Sequence, residues 1–142
     1  MPRPLILPVL APLAVLAACA SPPGDGGGSP QADDDLLVHL DRGNGTPAED
    51  WTLSCLAPVQ GTHPEAEAAC AHLAGLADPF APLPGDVVCT EQFGGPQTAR
   101  VTGRWGGAAV DLELSRADGC LIARWDGLGP LLPIPVGVDA VG

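Results

Sequence analysis

The 142-residue sequence contains no lysine and no tyrosine, and it has only three tryptophans and two phenylalanines. Six arginines stand against 17 acidic residues, so the formal net charge is −11. A chain this acidic repels phosphate backbones and anionic lipids, which argues against nucleic acid or a membrane surface as a partner. With so few aromatic residues the core must consist mainly of Leu, Val and Ala, and such a core benefits from covalent cross-links.

Zinc-type spacing of cysteine and histidine is also missing. No CxxC or HxxxH pattern occurs among the five cysteines and three histidines. Once Cys19 is set aside, the even number that remains in an exported domain indicates two disulfides, with three possible pairings. A zinc site is the rival interpretation, which an oxidising compartment disfavours. The residues concerned are Cys55, Cys70, Cys89 and Cys120, with His39, His63 and His72 as further candidate ligands.

Residues 1–18 have the composition of an export signal rather than of a membrane span. Arg3 supplies a positive charge, and an apolar run occupies residues 5–16. The small residues directly before Cys19 resemble the lipobox of bacterial lipoproteins, in which the cysteine becomes the lipid-modified N terminus. An ordinary signal peptide cut after Ala20 is the alternative. We therefore predict an exported protein that reaches the membrane only through a lipid on Cys19.

One tether and one domain follow this signal. Residues 19–35 are mostly Ser, Pro, Gly and Asp with almost nothing apolar to bury, which predicts a flexible tether. Its last residues, Asp33-Asp34-Asp35, are interpreted as a solvated charge run rather than a metal site. Residues 36–132 are expected to form one domain, and residues 133–142 a tail without usable periodicity.

Alternation of apolar and polar residues predicts several strands. Residues 36–40 form one strand, and residues 51–55 form a second that places Cys55 on its inner face. The strongest pattern flanks Gly106-Gly107, which predicts a two-residue hairpin. In that register apolar residues face apolar residues and opposite charges face each other. The predicted pairs are Trp105 with Ala108, Val101 with Leu112, and Arg100 with Glu113.

A helix is expected to begin within residues 61–65. Either Thr62 caps it and Glu65 completes a capping box, or Pro64 occupies its first position. The apolar residues that follow recur at helical spacing and include Cys70. Because Cys55 and Cys70 both point inward from adjacent elements, their pairing is the most economical, which leaves Cys89 for Cys120. Residues 121–125 fit either a short helix or a strand.

Residues 89–96 have neither helical nor strand periodicity. The segment begins at Cys89, which supplies a covalent anchor, and ends at Gly94-Gly95-Pro96, which bends the chain. This composition predicts an exposed, tethered loop. The residues that it presents to solvent are Thr90, Glu91, Gln92 and Phe93.

Several motifs resemble the Streptomyces subtilisin inhibitor family of small exported serine-protease inhibitors. The resemblance runs from about Leu36 to about Leu132, with the cysteines in family order. It implies an α+β fold in which two helices cover a five-stranded antiparallel sheet, with disulfides Cys55–Cys70 and Cys89–Cys120, and a homodimer. The matching motifs are Thr52-Leu53-Ser54-Cys55, Gly61-Thr62-His63-Pro64, Ala69-Cys70-Ala71-His72-Leu73, the loop at Cys89, and Val101-Thr102-Gly103-Arg104-Trp105.

The resemblance also implies a reactive bond between Glu91 and Gln92, flanked by contacts from Cys89, Thr90, Phe93 and Gly94. In such inhibitors the protease serine attacks the carbonyl of the residue in the primary specificity pocket, here Glu91. The best-known members carry Met or Lys there, so this chain implies either a glutamate-preferring extracellular protease or weakened inhibition of a subtilisin-like one. The Gly94-Gly95 pair makes the loop one residue longer than in the type member.

Two other function classes fit parts of the sequence, and neither of them nor the inhibitor class implies a cofactor. A non-inhibitory envelope lipoprotein with the same fold is the alternative, because Glu91 and the loop glycines depart from the family pattern. A hydrolase is disfavoured because Ser54 lies in the middle of a strand outside any nucleophile-elbow sequence, and His63 has a sufficient structural role at the helix start.

Overall fold

The computed structural model describes residues 33–133, which contain four strands, two α-helices and a 3-10 turn. The predicted signal peptide, Cys19, most of the tether and most of the tail lie outside these residues. Neither described helix has the length and apolar character needed to cross a membrane. The elements are β1 (Asp35–Asp41), β2 (Glu49–Ser54), α1 (Ala66–Ala74), β3 (Thr98–Trp105), β4 (Ala108–Ser115), α2 (Gly119–Gly127) and the 3-10 turn (Gly129–Leu131).

The strands form one antiparallel sheet in the order β2-β1-β3-β4. The predicted α+β class with two helices is confirmed, but the fifth strand is not confirmed within residues 33–133. The longest irregular connection, between α1 and β3, carries Pro79, Pro82, Pro84 and Pro96. Proline has no N–H to give to a strand ladder, so this stretch runs without regular pairing.

The β3–β4 hairpin has the predicted register. Trp105 pairs with Ala108, Val101 with Leu112, and Arg100 with Glu113. Gly106 and Gly107 both adopt positive φ, at 56° and 78°, which the tight two-residue turn requires. The side chain of Arg100 lies closer to its diagonal neighbour Asp111 than to Glu113, at 2.9 Å against 3.5 Å.

The core lies between one face of the sheet and the helices. Val38, Val101 and Leu53 from the sheet meet Leu73 of α1, all almost fully buried. Trp125 of α2 is the largest core side chain and is 2% exposed. The opposite face of the sheet carries His39, Arg100, Asp111 and Glu113 and is exposed. The complete core is Leu36, Val38, Leu40, Leu53, Ala69, Cys70, Leu73, Ala99, Val101, Val110, Leu114, Trp125, Leu128, Leu131 and Leu132.

The last residues of the predicted tether belong to the fold instead. Strand β1 begins at Asp35. The Asp34 carboxylate accepts a hydrogen bond from the Gly106 N–H at 2.7 Å, and its carbonyl accepts one from the Cys55 N–H at 2.9 Å. The Asp33 carbonyl accepts one from the Gly107 N–H at 3.2 Å. These residues satisfy donors of the hairpin turn, so treating them as a solvated charge run was wrong.

Helix α1 starts later than predicted, and the capping box is absent. It begins at Ala66, and Glu65 precedes it without a side-chain capping bond. The Thr62 hydroxyl accepts instead from the Thr52 N–H of β2, at 3.0 Å. His63 is 5% exposed; its Nδ1 accepts from the Glu65 N–H, and its Nε2 therefore donates to the Leu131 carbonyl at 2.9 Å. The structural role predicted for His63 is confirmed.

Both predicted disulfides are present. Cys55 and Cys70 are bonded with their Cα atoms 5.4 Å apart, which ties the end of β2 to α1. Cys89 and Cys120 are bonded with their Cα atoms 5.2 Å apart, which ties the start of the irregular loop to the first turn of α2. With these four sulfurs oxidised, none of them is available as a thiolate ligand for zinc.

Candidate functional site

The segment from Cys89 to Pro96 is exposed where the sequence predicts exposure. Thr90, Glu91, Gln92 and Phe93 are all exposed, and Phe93 retains 69% of its accessible surface although it is apolar. Large apolar side chains are ordinarily turned inward in small domains, so an exposed phenylalanine beside a covalent anchor is typical of a binding surface.

The N-terminal side of this loop is fixed to α2. The Cys89–Cys120 disulfide is the covalent link. Next to it, the Gly119 N–H donates to the Thr90 carbonyl at 3.0 Å. A Cβ at Gly119 would overlap the Thr90 hydroxyl oxygen, so this close approach favours glycine. Asp118 holds the helix start in place by accepting from the Leu121 N–H at 2.9 Å.

The C-terminal side of the loop is fixed at Gly94. Its N–H donates to the Arg116 carbonyl at 2.7 Å, and its own carbonyl accepts from Arg116 Nε at 3.2 Å. A Cβ at Gly94 would lie 2.7 Å from the end of the Ile122 side chain. Gly94 of the Gly94-Gly95 pair is therefore one of the attachment points of the loop, and it packs directly on α2.

Arg116 is itself held firmly. Its Nη1 donates to the Asp126 carboxylate at 2.6 Å, and its guanidinium carbon lies 5.9 Å from the centre of the Trp125 ring. The side chain is 17% exposed. Sequence reasoning missed this residue, because no local pattern connects it to a glycine 22 positions earlier. The only available signal is the scarcity of cations: each arginine of so acidic a chain is a candidate for a specific partner.

Between the two attachments the chain is free of the scaffold. Within residues 33–133, hydrogen bonds reach the loop at Thr90 and Gly94 and none reaches Glu91, Gln92 or Phe93. Three consecutive residues are thus presented to solvent with both flanks immobilised. Little conformational freedom therefore remains for this segment to lose when it binds a partner.

The rival sites do not assemble in the described residues. His39 contacts Asp50 at 2.8 Å, His63 is buried at the start of α1, and His72 contacts the Gly127 carbonyl at 2.8 Å. Each histidine therefore has a different partner in a different place. Ser54 pairs through its backbone with Gln60 and makes no hydrogen bond with His63, so no serine–histidine pair forms. Among residues 33–133, the one close group of potential ligands, Cys89, Asp118 and Cys120, contains both sulfurs of a disulfide.

Two arginines outside the loop have shifted pKa values. The hydrogen bond to Asp111 raises the pKa of Arg100 on the exposed sheet face, with a further contribution from the charge of Asp111. Burial lowers the pKa of Arg124, whose Nη2 donates to the Ala81 carbonyl at 2.5 Å. The partners of both arginines lie outside the loop.

Comparison with known proteins places this geometry in a family. The profile described as "Subtilisin inhibitor-like" matches residues 37–117, which include the whole loop and Arg116. Plasminostreptin of Streptomyces antifibrinolyticus is 38% identical over 92 residues, covering 61% of this chain and 84% of that protein. The subtilisin inhibitor of Streptomyces violaceus is 39% identical over 84 residues, covering 57% of each chain, so this chain spans a little over half of that relative.

A solved structure also aligns with the described fold. It is Streptomyces caespitosus sermetstatin in complex with Bacillus licheniformis subtilisin, at 25% identity and a TM-score of 0.44, covering 70% of this chain and 97% of that one. The family identified by the profile is one of protease inhibitors, not of enzymes. The chain belongs to the subtilisin inhibitor-like family.

Proposed function

We propose that the protein inhibits an extracellular serine protease by acting as a substrate that is cut slowly and resealed, with Glu91–Gln92 as the reactive bond. The observation that carries this proposal is the presentation of Glu91, Gln92 and Phe93 to solvent between two fixed flanks. Membership of a family of protease inhibitors supports it independently.

The chemistry is that of ordinary peptide cleavage. The protease serine oxygen forms a bond to the Glu91 carbonyl carbon, and its proton passes through the protease histidine to the Gln92 nitrogen as the C–N bond breaks. Water then competes with the Gln92 amine for the resulting acyl-enzyme. Because Cys89 holds one side of the cut and Gly94 the other, the amine stays beside the acyl carbon, and re-formation of the peptide bond is favoured.

Glu91 sets the expected preference of the target. A carboxylate buried without a partner in an apolar specificity pocket costs several kcal/mol, whereas a pocket that carries a cation receives it well. We therefore propose a glutamate-preferring secreted protease as the first target, with weaker inhibition of subtilisin-like enzymes.

Replacing Glu91 tests the reactive bond. Glu91→Met is expected to tighten inhibition of subtilisin by about tenfold or more, because no charge is then buried in an apolar pocket. The same substitution is expected to abolish inhibition of a glutamyl endopeptidase, because the carboxylate that a cationic pocket binds is lost. Inhibition constants against subtilisin, trypsin and a glutamyl endopeptidase measure this. Glu67→Met, an exposed glutamate of α1, is the matched control. If both variants behave like the wild type, the bond has been assigned to the wrong position.

Location and assembly are further parts of the proposal. The signal-like residues 1–18 and the two disulfides support export, and the lipobox-like sequence supports anchoring through a lipid on Cys19. A homodimer is proposed through the exposed sheet face, where Leu37 is 45% exposed among polar neighbours. Mass spectrometry of the mature N terminus tests the lipid, and sedimentation of residues 33–133 with their flanking segments tests the dimer.

A further inference from the structure

The two sides of the Glu91–Gln92 bond are fixed by unequal means, and the inference below rests on the proposed function. Toward the N terminus, Glu91 is separated from a disulfide by Thr90 alone. Toward the C terminus, the nearest attachment is the pair of hydrogen bonds at Gly94, and regular structure resumes only at Thr98. After cleavage the new amine of Gln92 would therefore be kept in place by noncovalent contacts.

Arg116 supplies both of those contacts. Its carbonyl accepts from the Gly94 N–H at 2.7 Å, while its Nε donates to the Gly94 carbonyl at 3.2 Å. One residue thus grips the donor and the acceptor of the same glycine, which fixes the orientation of the chain as well as its position. The bond from the guanidinium is charge-assisted and is stronger than a neutral one.

Arg116 is itself held by α2, the helix that also holds the other side of the cut. Arg116 Nη1 donates to Asp126 of α2 at 2.6 Å, and the guanidinium lies 5.9 Å from the ring centre of Trp125, a core residue of α2. Cys120, which bonds Cys89, lies in the first turn of that helix. Both cut ends are therefore fixed relative to one rigid element.

We propose that Arg116 is a positioning residue for resealing: it keeps the Gln92 amine beside the acyl carbon, so that the amine attacks the acyl-enzyme before water does. In the resealing step the Gln92 nitrogen forms its bond to the Glu91 carbonyl carbon and the ester bond to the protease serine breaks. The proton of the amine returns through the protease histidine to the serine oxygen. Without the grip, Gln92 and Phe93 swing away, and water completes hydrolysis to a free Glu91 carboxylate.

The test starts from nicked protein. Protein cut at Glu91–Gln92 by prolonged incubation with a glutamyl endopeptidase is mixed with a catalytic amount of the protease that the wild type inhibits, and mass spectrometry follows the intact fraction. Arg116→Gln is expected to lower the ratio of intact to nicked protein by about tenfold to a hundredfold, the size of a lost charge-assisted hydrogen bond. Arg104→Gln is the control, because it removes the same charge near Asp33, away from the loop.

Two further measurements separate positioning from general weakening. The melting temperature of each variant is determined, and the resealing ratio is read well below it, where a purely structural role would leave the ratio unchanged. Arg116→Lys keeps the charge but places its three donors on a single nitrogen in place of the planar guanidinium fork that bonds Gly94 and Asp126, so an intermediate ratio is expected. If Arg116→Gln reseals as well as Arg104→Gln, the positioning role is overturned.

Failure of the proposed function would look different. In that case the wild type inhibits none of the proteases in the panel, and hydrogen exchange at the Gly94 amide becomes the readout. Faster exchange in Arg116→Gln than in Arg104→Gln, by about tenfold, would support the grip on the loop without protease inhibition. Equal exchange in the two variants would overturn it.

Discussion

The β3–β4 hairpin and the loop that precedes it are held in opposite ways. Eight consecutive residue pairs join the two strands, and neighbouring pairs duplicate one another's effect. The loop at residues 89–96 has a disulfide and three hydrogen bonds, at Cys89, Thr90 and Gly94, and each acts alone. A strand pair of this length tolerates the loss of one residue pair, whereas a loop with so few attachments loses its conformation when one of them is removed.

The two disulfides give the largest test of this contrast. In the chain-entropy model, replacing either pair with serine lowers the free energy of unfolding by about 3 to 4 kcal/mol. Only Cys89→Ser with Cys120→Ser is expected to weaken inhibition as well, by about a hundredfold, because the loop is then no longer preorganised. Urea denaturation and inhibition constants measure the two effects at a temperature at which both variants are folded.

The matched pair is Cys55→Ser with Cys70→Ser. This bond joins β2 to α1, away from the loop, so inhibition should be retained while stability falls. Equal losses of inhibition in the two double variants would show that the loop depends on overall stability rather than on its own attachment.

A smaller effect is expected at Gly94. Gly94→Ala places a Cβ 2.7 Å from the Ile122 side chain, which pushes the loop away from α2 and should weaken inhibition by about tenfold. Ile122→Val in the same chain should recover part of the loss, because it makes room for the new methyl group. Inhibition constants and the rate of nicking at Glu91–Gln92 are the measurements.

Gly85→Ala serves as the control, because nothing lies within 4 Å of a Cβ at that position. A clash with Ile122 is refuted as the cause if Gly85→Ala weakens inhibition as much as Gly94→Ala does. It is also refuted if adding Ile122→Val to Gly94→Ala weakens inhibition further.

The smallest effect belongs to the hairpin. Arg100→Gln removes an exposed ion pair with Asp111, so the melting temperature should change little, and still less in high salt. The hydrogen bond to Asp111 raises the pKa of Arg100 in the folded state. The stability that this ion pair adds is therefore complete below the ordinary arginine pKa, and it is lost only as the pH rises past the raised value. Melting curves across the neutral range should therefore show no pH dependence that Arg100→Gln removes.

The hairpin and the loop also differ in how far they can be predicted. The register around Gly106-Gly107 follows from alternation in adjacent residues, which is a local signal. The disulfides and the exposure of residues 90–93 follow from cysteine count, composition and family resemblance. The role of Arg116 is not predictable in this way, because its partner Gly94 is remote in sequence and glycine has no side chain whose type would indicate a contact.

Tertiary contacts account for the remaining errors. The capping box at Thr62 is a sound local pattern, but the Thr62 hydroxyl is engaged by the Thr52 N–H of β2. Asp33 and Asp34 continue a segment with the composition of a linker. They nevertheless belong to the fold, because they accept hydrogen bonds from the backbone N–H groups of the hairpin turn. In both cases a backbone donor from a distant element outweighed the local preference.

Within residues 33–133, the hydrogen bonds and the disulfide that fix the loop all come from the short stretch from Arg116 to Cys120. The residues at 91 to 93 make no hydrogen bond to that stretch or to any other part of residues 33–133. Under the proposed function, substitutions at these three positions alter which enzyme is recognised while the folding of the domain is left alone. Under that function, a lineage or a library of variants would retarget the protein by altering three neighbouring codons.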